Sequence, residues 1–340
     1  MKYIFSTFML ASFCMLALTA CTNDEAETSS LSGQEVSLSF SVDGVQVKSP
    51  RAAAADDYYN EDNLEKVAII LKQTEDSSTA DHAPGKPAYN YAPAHWEKKA
   101  DRTWGAVDTS ADNVLLWKTG SATDTHEVVR FIAYAPDITA QQVVTPSGNY
   151  DNFSIKEDQT KAADRLASDL VLYEAKAEGD LGKIIVNPST PINLEHKMCR
   201  LSLTLTARNE FGDQEIQIKK VSVIGVLPQA GGGGTSTTVY STLEETIKAD
   251  ASASRSFIIG PGIQTLTLKI EAVDLSATVN ADRIYTLPLE KNKSYTSAAQ
   301  YNIQVFLGKD KVELSSDGIT ISNWKEWIPD KEGDDHLETD

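Results

Sequence analysis

Short segments in which apolar and polar residues alternate dominate this sequence. Val36, Leu38, Phe40 and Val42 alternate with serines, so an extended chain would carry one apolar face and one polar face. The same alternation recurs at 67–71, 201–206, 266–270 and 301–307. Turn signals such as Asp43–Gly44 separate these segments. Many short strands joined by turns predict an all-β protein built from antiparallel β-sandwiches.

Two stretches depart from simple alternation. The apolar residues change phase between Ile218 and Val221, across two lysines, as a β-bulge would require. Within 156–179, apolar residues recur at helical spacing, and yet the run from Asp169 could equally begin a buried strand. Periodicity alone leaves both interpretations of this second stretch open.

The chain is long enough for two domains, since its 340 residues are about twice the usual domain length of about 150. We interpret 201–207 and 215–226 as one hairpin, whose strands should share a sheet, and therefore place the domain boundary near residue 191. The predicted units are an N-terminal sandwich at 35–190, a C-terminal sandwich at 191–328 and an acidic tail at 329–340.

The first twenty residues predict a secretory signal. Lys2 precedes an apolar run that is too short and too early to be interpreted as a membrane-spanning helix. The run ends at Leu-Thr-Ala-Cys21, which resembles the bacterial lipobox and would place a stable lipid anchor on Cys21. The alternative is ordinary signal-peptide cleavage beside a chance cysteine. Residues 21–34 are polar and acidic and predict a flexible tether.

Charge and cysteine usage limit the partners and the chemistry. With 31 basic and 49 acidic residues the formal net charge is −18, which disfavours nucleic acid because phosphate binding depends on Lys and Arg. Of the three cysteines, Cys14 lies in the signal and Cys21 would be lipidated, so Cys199 has no partner for a disulfide. Cys199 lies in a strand-like stretch and is expected to be a buried, inert thiol.

No catalytic or metal-binding constellation stands out. The chain has only five histidines, and it lacks a Gly-x-Ser-x-Gly elbow, a His-Glu-x-x-His helix and a Cys-x-x-Cys pair. His196 precedes an alternating strand, where a hydrogen-bonded structural histidine is favoured over a general base. We therefore expect no enzyme activity, no catalytic residue, no metal and no cofactor.

Four segments, in order, resemble the fimbrillin-like family. Residues 194–203, Leu-Glu-His-Lys-Met-Cys-Arg-Leu-Ser-Leu, are similar to a signature in which a histidine precedes a basic-leucine pair that opens a strand. Residues 129–136 resemble a strand that ends in an aromatic residue before proline, and 168–171 resemble a short Asp-Leu segment. The stretch from Tyr295 to Trp324 resembles the end of the family's chain, so the likeness covers 35–328.

The resemblance implies a subunit of a Bacteroidetes type V fimbria. Members have two transthyretin-like Greek-key β-sandwich domains and are exported as lipoprotein precursors, cut after an arginine and polymerised by strand exchange. Arg51, followed by Ala52, is the candidate cleavage site, although it could also be one of many surface arginines. The cut would release the strand 35–48, whose apolar side chains are Val36, Leu38, Phe40 and Val42.

A donor strand is expected near the C-terminus. Residues 318–328 alternate adequately and carry the large apolar side chains Ile319, Ile321, Trp324, Trp327 and Ile328. The acidic tail that follows cannot fill an apolar groove. Either 318–328 donate alone, or the subunit accepts a strand without donating one, as a tip or accessory subunit would.

The expected location is the outer membrane and cell surface, and the expected partners are other fimbrial subunits, the membrane through the lipid on Cys21, and a host protein or glycan. Acidic residues after Cys21 resemble the surface-export signal of Bacteroidetes lipoproteins, although a generic linker would look the same. The alternative function is that of a permanently anchored lipoprotein. It would bind glycan or host protein through loops that hold Tyr89, Tyr91, Trp96 and Trp104.

Overall fold

The computed structural model describes residues 37–42, 58–72, 93–110, 113–115, 127–128, 130–137, 153–176, 184–185, 191–211, 215–228, 234–275, 281–289 and 295–323. The first half of this part is built mainly on one seven-stranded sheet. Its strands are β1 (Phe40–Val42), β2 (Lys66–Lys72), β3 (Ala94–Lys98), β4 (Trp104–Ala106), β6 (Arg130–Ala135), β7 (Val171–Lys176) and β9 (Ile192–His196). The two short strands β5 (Glu127–Val128) and β8 (Ile184–Ile185) pair with each other.

The seven strands lie in the order β1-β9-β7-β6-β2-β3-β4. Although β1 and β4 form opposite edges, the rings of Phe40 and Trp104 meet edge to face with centroids 5.2 Å apart. The sheet therefore curls until its two edges approach each other. Its concave face encloses a core that includes Val67, Phe131 and Leu194, all of which are buried.

The opposite face of the curled sheet is also apolar, because it packs against the rest of the chain. Ile132, Tyr134 and Leu170 form a second buried cluster with Met198 and Ile258, which belong to the second half. The sequences of β2 and β6 are nearly continuous apolar runs because the sheet is covered on both faces.

The second half is a sandwich of two four-stranded sheets. One sheet has the order β13-β10-β16-β17, and the other β12-β11-β14-β15. The bounds are β10 (Cys199–Ala207), β11 (Glu215–Pro228), β12 (Gly234–Lys248), β13 (Ser252–Ile259), β14 (Thr265–Asp274), β15 (Ala281–Pro288), β16 (Ala299–Leu307) and β17 (Val312–Asn323). Alternate side chains of both sheets meet in one buried core, as the sequence pattern predicts.

The all-β fold class is confirmed, with two exceptions to antiparallel pairing. β1 pairs in parallel with β9, and β10 pairs in parallel with β16. Parallel strands need a long connection between them, and in both pairs the two strands lie far apart along the chain.

The predicted hairpin between 201–207 and 215–226 is wrong. β10 and β11 lie in opposing sheets, and a 3₁₀ turn at Asn209–Phe211 with buried Phe211 carries the chain across the core. Alternation determines which side chains face a core, but a hairpin and an arch between two sheets show the same alternation.

The predicted domain boundary near residue 191 lies just before β9. β9 pairs with β1 and β7 in the seven-stranded sheet, so the chain passes into the sandwich between His196 and Cys199. The undecided stretch 156–179 contains both alternatives, a helix α1 (Ala162–Leu166) followed by β7. The predicted bulge is confirmed, since the β11 register shifts between Ile218 and Lys220.

Candidate functional site: the first strand and the domain junction

β1 and the residues just before it place their apolar side chains in the core of the curled sheet. Leu38, Phe40 and Val42 are exposed by only 4%, 5% and 6%, whereas Ser39 and Ser41 between them are half-buried. The alternation in the sequence accounts for this, because every second residue of a strand faces the same way.

Backbone pairing holds β1 along one side only. Its three residues are in parallel register with Ile192, Asn193 and Leu194 of β9, and the Ile192 N–H donates to the Ser39 carbonyl over 2.8 Å. The other side carries no backbone partner among the described residues and meets β4 through the Phe40–Trp104 ring contact. β1 is thus an edge strand that closes a curled sheet mainly through buried side chains.

The described chain resumes at Tyr58, seven residues after Arg51, and is fixed to the junction of the two halves there. The Tyr59 N–H donates to Asp169 Oδ2 over 2.8 Å, and His196 Nδ1 lies 2.9 Å from Asp169 Oδ1. Asp169 and His196 are both buried. Burial, together with the charges of Asp169 and Asp137, raises the pKa of the Tyr59 hydroxyl.

A second polar group extends this junction into the sandwich. The guanidinium of buried Arg200 lies 4.2 Å from the centre of the Tyr58 ring, a cation–π contact. Arg200 Nη1 also donates to Gln300 Oε1 over 3.2 Å. The segment that follows the candidate cleavage site therefore contacts β10 directly, and it is linked to β9 through Asp169 and to β16 through Arg200.

Residues 153–160, which we call the edge strap, close one side of the sandwich. Gln159 is fully buried, and its amide bonds both backbone groups of Ile258: Nε2 donates to the carbonyl and Oε1 accepts from the N–H, each over 2.8 Å. The Gln159 backbone N–H donates to the Tyr240 carbonyl over 2.8 Å. One residue of the first half thus bridges β13 and β12, the edge strands of the two sheets.

Several predicted site residues lie outside the described residues. They are Cys21, Val36, Arg51, Ala52, Trp324, Trp327, Ile328, Tyr89 and Tyr91. The structure brings Leu38, Phe40 and Val42 together in one core.

The described part of the candidate donor strand is the C-terminal end of β17. Residues 319–323 pair antiparallel with β16 at the edge of their own sheet, where Ile319 is buried and Ile321 is 56% exposed. A register irregularity beside Gln304 separates this pairing from the one at Val312–Leu314, and Gly318 adopts a positive φ of 64° between them. The two parts of β17 thus pair with β16 on either side of a register shift.

The structure corrects one member of the predicted aromatic binding surface, Trp96. Trp96 is 3% exposed, and its indole N–H donates to the Asn113 carbonyl over 3.0 Å, so it is a core residue of β3. Trp104 is half-buried against Phe40. The Trp96 ring is therefore not available for stacking on a glycan.

Among the described residues, we find no reactive thiol and no cluster of metal ligands. Cys199 is fully buried, its Sγ–H donates to the Thr296 carbonyl over 3.0 Å, and burial raises the pKa of its thiol. Within the described ranges, no group of three His, Cys, Asp or Glu side chains could hold a metal ion. None of the helices in that part of the chain is long and apolar enough to cross a membrane.

Sequence reasoning missed the pairing of Asp169 with His196 and the role of Gln159. Asp169 and His196 both lie in segments that resemble the family, and a buried acid preceding an apolar run is a signal that a partner is needed. For Gln159 the sequence carries no comparable signal, because its partner Ile258 is 99 residues away.

The family match decides what kind of chain this is. The sequence matches the model of the family described as fimbrillin-like over residues 51–324. The chain belongs to the fimbrillin-like family. The match begins at Arg51, so β1 lies outside it although β1 packs into the matched sheet.

Solved structures resemble this fimbrillin-like chain only distantly. A candidate cell adhesion protein from Bacteroides ovatus is 14% identical with a TM-score of 0.49, covering 87% of this chain and 98% of its own. A fimbrial protein from Bacteroides vulgatus is 12% identical with a TM-score of 0.45, covering 76% and 92%. The tip fimbrial protein Mfa3 from Porphyromonas gingivalis, C-terminally truncated, is 9% identical with a TM-score of 0.41, covering 85% and 100%. These values are too low to carry a functional argument, and no protein of curated function matches the sequence.

Proposed function

We propose that this chain is a structural or tip subunit of a cell-surface fimbria. It is exported as a precursor with a lipid on Cys21, is cut after Arg51, and joins its neighbours by exchanging β1 for a strand of another subunit. Membership of the fimbrillin-like family supports the coarser part of this proposal, a non-enzymatic fimbrial or adhesive subunit at the cell surface.

The observation that carries the finer part is the position of β1. This strand and the preceding Leu38 come before Arg51 and lie outside the family match, and yet together they supply three buried side chains to the matched sheet. Fifteen residues, 43–57, connect Val42 to the fixed Tyr58. A cut within that connection leaves β1 held by non-covalent contacts alone.

The free energy at stake is large compared with the stability of a domain. Burial of an apolar side chain stabilises by about 1.5–3 kcal/mol, so Leu38, Phe40 and Val42 together contribute roughly 5–9 kcal/mol as an upper estimate. The net stability of a domain is only about 5–15 kcal/mol. Loss of β1 would therefore expose an apolar groove beside the unpaired edge of β9, and a strand from another subunit would restore both contacts.

The geometry also favours an open assembly. The acceptor groove is an edge of the curled sheet, whereas the candidate donor is at the end of β17 in the sandwich, so donor and acceptor surfaces differ. Such a head-to-tail contact produces a filament unless the rotation closes a ring. Donation by Ile319 and Ile321 requires 319–323 to leave β16. A register irregularity separates that pairing from the one at 312–314.

The direct test is the N-terminal residue of the protein purified from the surface of a Bacteroidetes host. We expect mature protein to begin at Ala52 in the wild type and in a Lys48→Ala control, but not in Arg51→Ala. A Cys21→Ala variant should fail to incorporate labelled palmitate. If most wild-type copies at the cell surface begin at an acylated Cys21, the chain is instead a permanently anchored lipoprotein.

A further inference from the structure

Among the described residues, only part of the outer edge of β12 is paired. The Tyr240 N–H donates to the Glu157 carbonyl, and the Tyr240 carbonyl accepts from the Gln159 N–H, each over 2.8 Å. One step further along, the Thr242 N–H donates to Thr160 Oγ1 over 3.0 Å. The edge strap thus continues the sheet beyond β12, but only around a single parallel bridge between Asp158 and Tyr240.

The preceding residues of β12 present the same kind of edge. Residues i and i±2 of a strand direct their backbone groups to the same side, so Ser236 and Thr238 point theirs outward as Tyr240 does. In the part of the chain that the structure describes, the outward N–H and C=O groups of Ser236 and Thr238 have no hydrogen-bond partner. Within the described ranges, two residues with an open strand edge therefore continue directly from a paired edge.

A cavity of about 490 Å³ lies between this open edge and the start of the edge strap. Its apolar lining includes Phe153, Ile155, Met198, Val223, Ile263 and Leu266. Ser236, Thr237 and Glu157 add polar groups to the wall. The volume lies within the range of about 300–1,000 Å³ that ligand pockets occupy.

We propose that the β12 edge at Ser236–Thr238, together with this cavity, is a docking site for an extended peptide segment of a partner protein. The segment carries apolar side chains at alternate positions and is not acidic. An open strand edge supplies backbone hydrogen bonds and the adjacent cavity accepts alternate side chains, which is the pattern of β-strand addition.

The edge strap shows what the occupant must look like. It binds the next part of the same edge with backbone groups of Glu157 and Gln159, while Ile155 packs against the sandwich core. An extended segment at Ser236–Thr238 would repeat that arrangement in continuity with it. Acidic flanks are disfavoured because Glu157 lines the cavity and the chain carries a net charge of −18.

This site is separate from the groove beneath β1. β1 lies in the curled sheet and β12 in the sandwich, and they belong to different cores. The proposal therefore does not depend on the cleavage at Arg51 or on strand exchange.

The test uses the full chain and three synthetic hexapeptides, each with alternating valine and threonine in its centre. One has lysine at both ends, one is the same peptide with alternate backbone nitrogens methylated, and one has aspartate at both ends. Calorimetry should show binding of the lysine peptide, and hydrogen exchange should show protection of the amides of Ser236 and Thr238. Methylation should weaken binding by at least about tenfold because it removes the backbone donors.

Two substitutions locate the site. Thr238→Pro removes the outward N–H, and the edge position of β12 should tolerate proline. We expect it to weaken binding by about tenfold, the effect of one lost hydrogen bond, whereas the Thr238→Val control keeps the N–H and binds normally. Thr237→Phe, which fills the cavity, should also weaken binding and remains informative if the proline variant fails to fold.

The proposal is overturned if the wild-type chain does not bind the lysine peptide. It is also overturned if the methylated peptide binds equally well, or if folded Thr238→Pro and Thr237→Phe proteins keep wild-type affinity. Tighter binding of the aspartate peptide than of the lysine peptide would overturn the assignment of a non-acidic partner.

Discussion

Two short segments close open sheet edges in this molecule, and they do so in opposite ways. β1, together with the preceding Leu38, closes the curled sheet with three buried apolar side chains and a three-residue parallel pairing. The edge strap closes the sandwich with hydrogen bonds, chiefly those of the buried Gln159 amide to the N–H and carbonyl of Ile258.

The two closures differ in whether another segment can take the place of the native one. Burial of apolar surface has no preferred direction, so any strand with the right alternation can take the place of β1. Hydrogen bonds require donors and acceptors at fixed distances and angles, so only a residue with the shape of glutamine satisfies Ile258. The apolar closure is therefore suited to exchange, and the polar closure to a permanent junction.

The largest expected effect is the loss of β1. A chain that begins at Ala52 should be less stable than the full chain by roughly 5–9 kcal/mol, because Leu38, Phe40 and Val42 no longer fill the core. Urea denaturation of the two proteins measures this difference. A synthetic peptide of residues 35–48 should restore most of the stability, and the same peptide carrying Phe40→Ser should not. Equal stability of the two chains would show that β1 does not close the sheet.

Asp169 connects the segment after the candidate cleavage site to β9 and is the next largest contributor. Asp169→Ala should lower the free energy of unfolding by about 3–5 kcal/mol, because His196 and the Tyr59 N–H lose a buried acceptor. Thermal and urea denaturation would measure the loss. Asp164→Ala on α1, which removes a less buried carboxylate, is the matched control. If the loss of stability is no larger than that of the control, Asp169 does not stabilise the junction.

Gln159 tests the polar closure directly. Gln159→Leu keeps a similar volume but leaves the Ile258 N–H and carbonyl without partners, which should cost about 2–4 kcal/mol. Hydrogen exchange at Ile258 should accelerate in this variant and remain slow in an exposed Lys156→Ala control. If Gln159→Leu is as stable as the wild type, apolar packing rather than hydrogen bonding closes this edge.

The smallest effect concerns a polar contact at the surface, which contrasts with the buried contact of Gln159. Hydrogen bonds from Ser110 and then Asn113 lower the pKa of Asp108 to about 2. Because the folded-state pKa is below the ordinary value of 3.8, this stabilisation is complete above pH 3.8 and is lost as the pH falls through about 2. The difference in melting temperature between wild type and Asp108→Asn should therefore narrow across that interval. A carboxylate NMR titration with an ordinary midpoint would contradict the assignment.

Alternation in the sequence predicted much of what the structure shows. It assigned Leu38, Phe40 and Val42 to one face, located the bulge before Lys220, and indicated sheets throughout. It could not distinguish a hairpin from an arch at 201–226, since both satisfy the same pattern. Nor could it indicate that Trp96 is buried rather than exposed, because an aromatic residue in a polar stretch is compatible with either environment.

By itself, the sequence determined which side chains face a core, because residue identity and a period of two are local properties of the chain. Only the tertiary structure decided which strands are neighbours, that the first sheet curls until Phe40 meets Trp104, and that Asp169 finds His196. These contacts join residues that are distant along the chain. Their formation depends on how sheets pack, twist and exclude water together, which no short segment specifies alone.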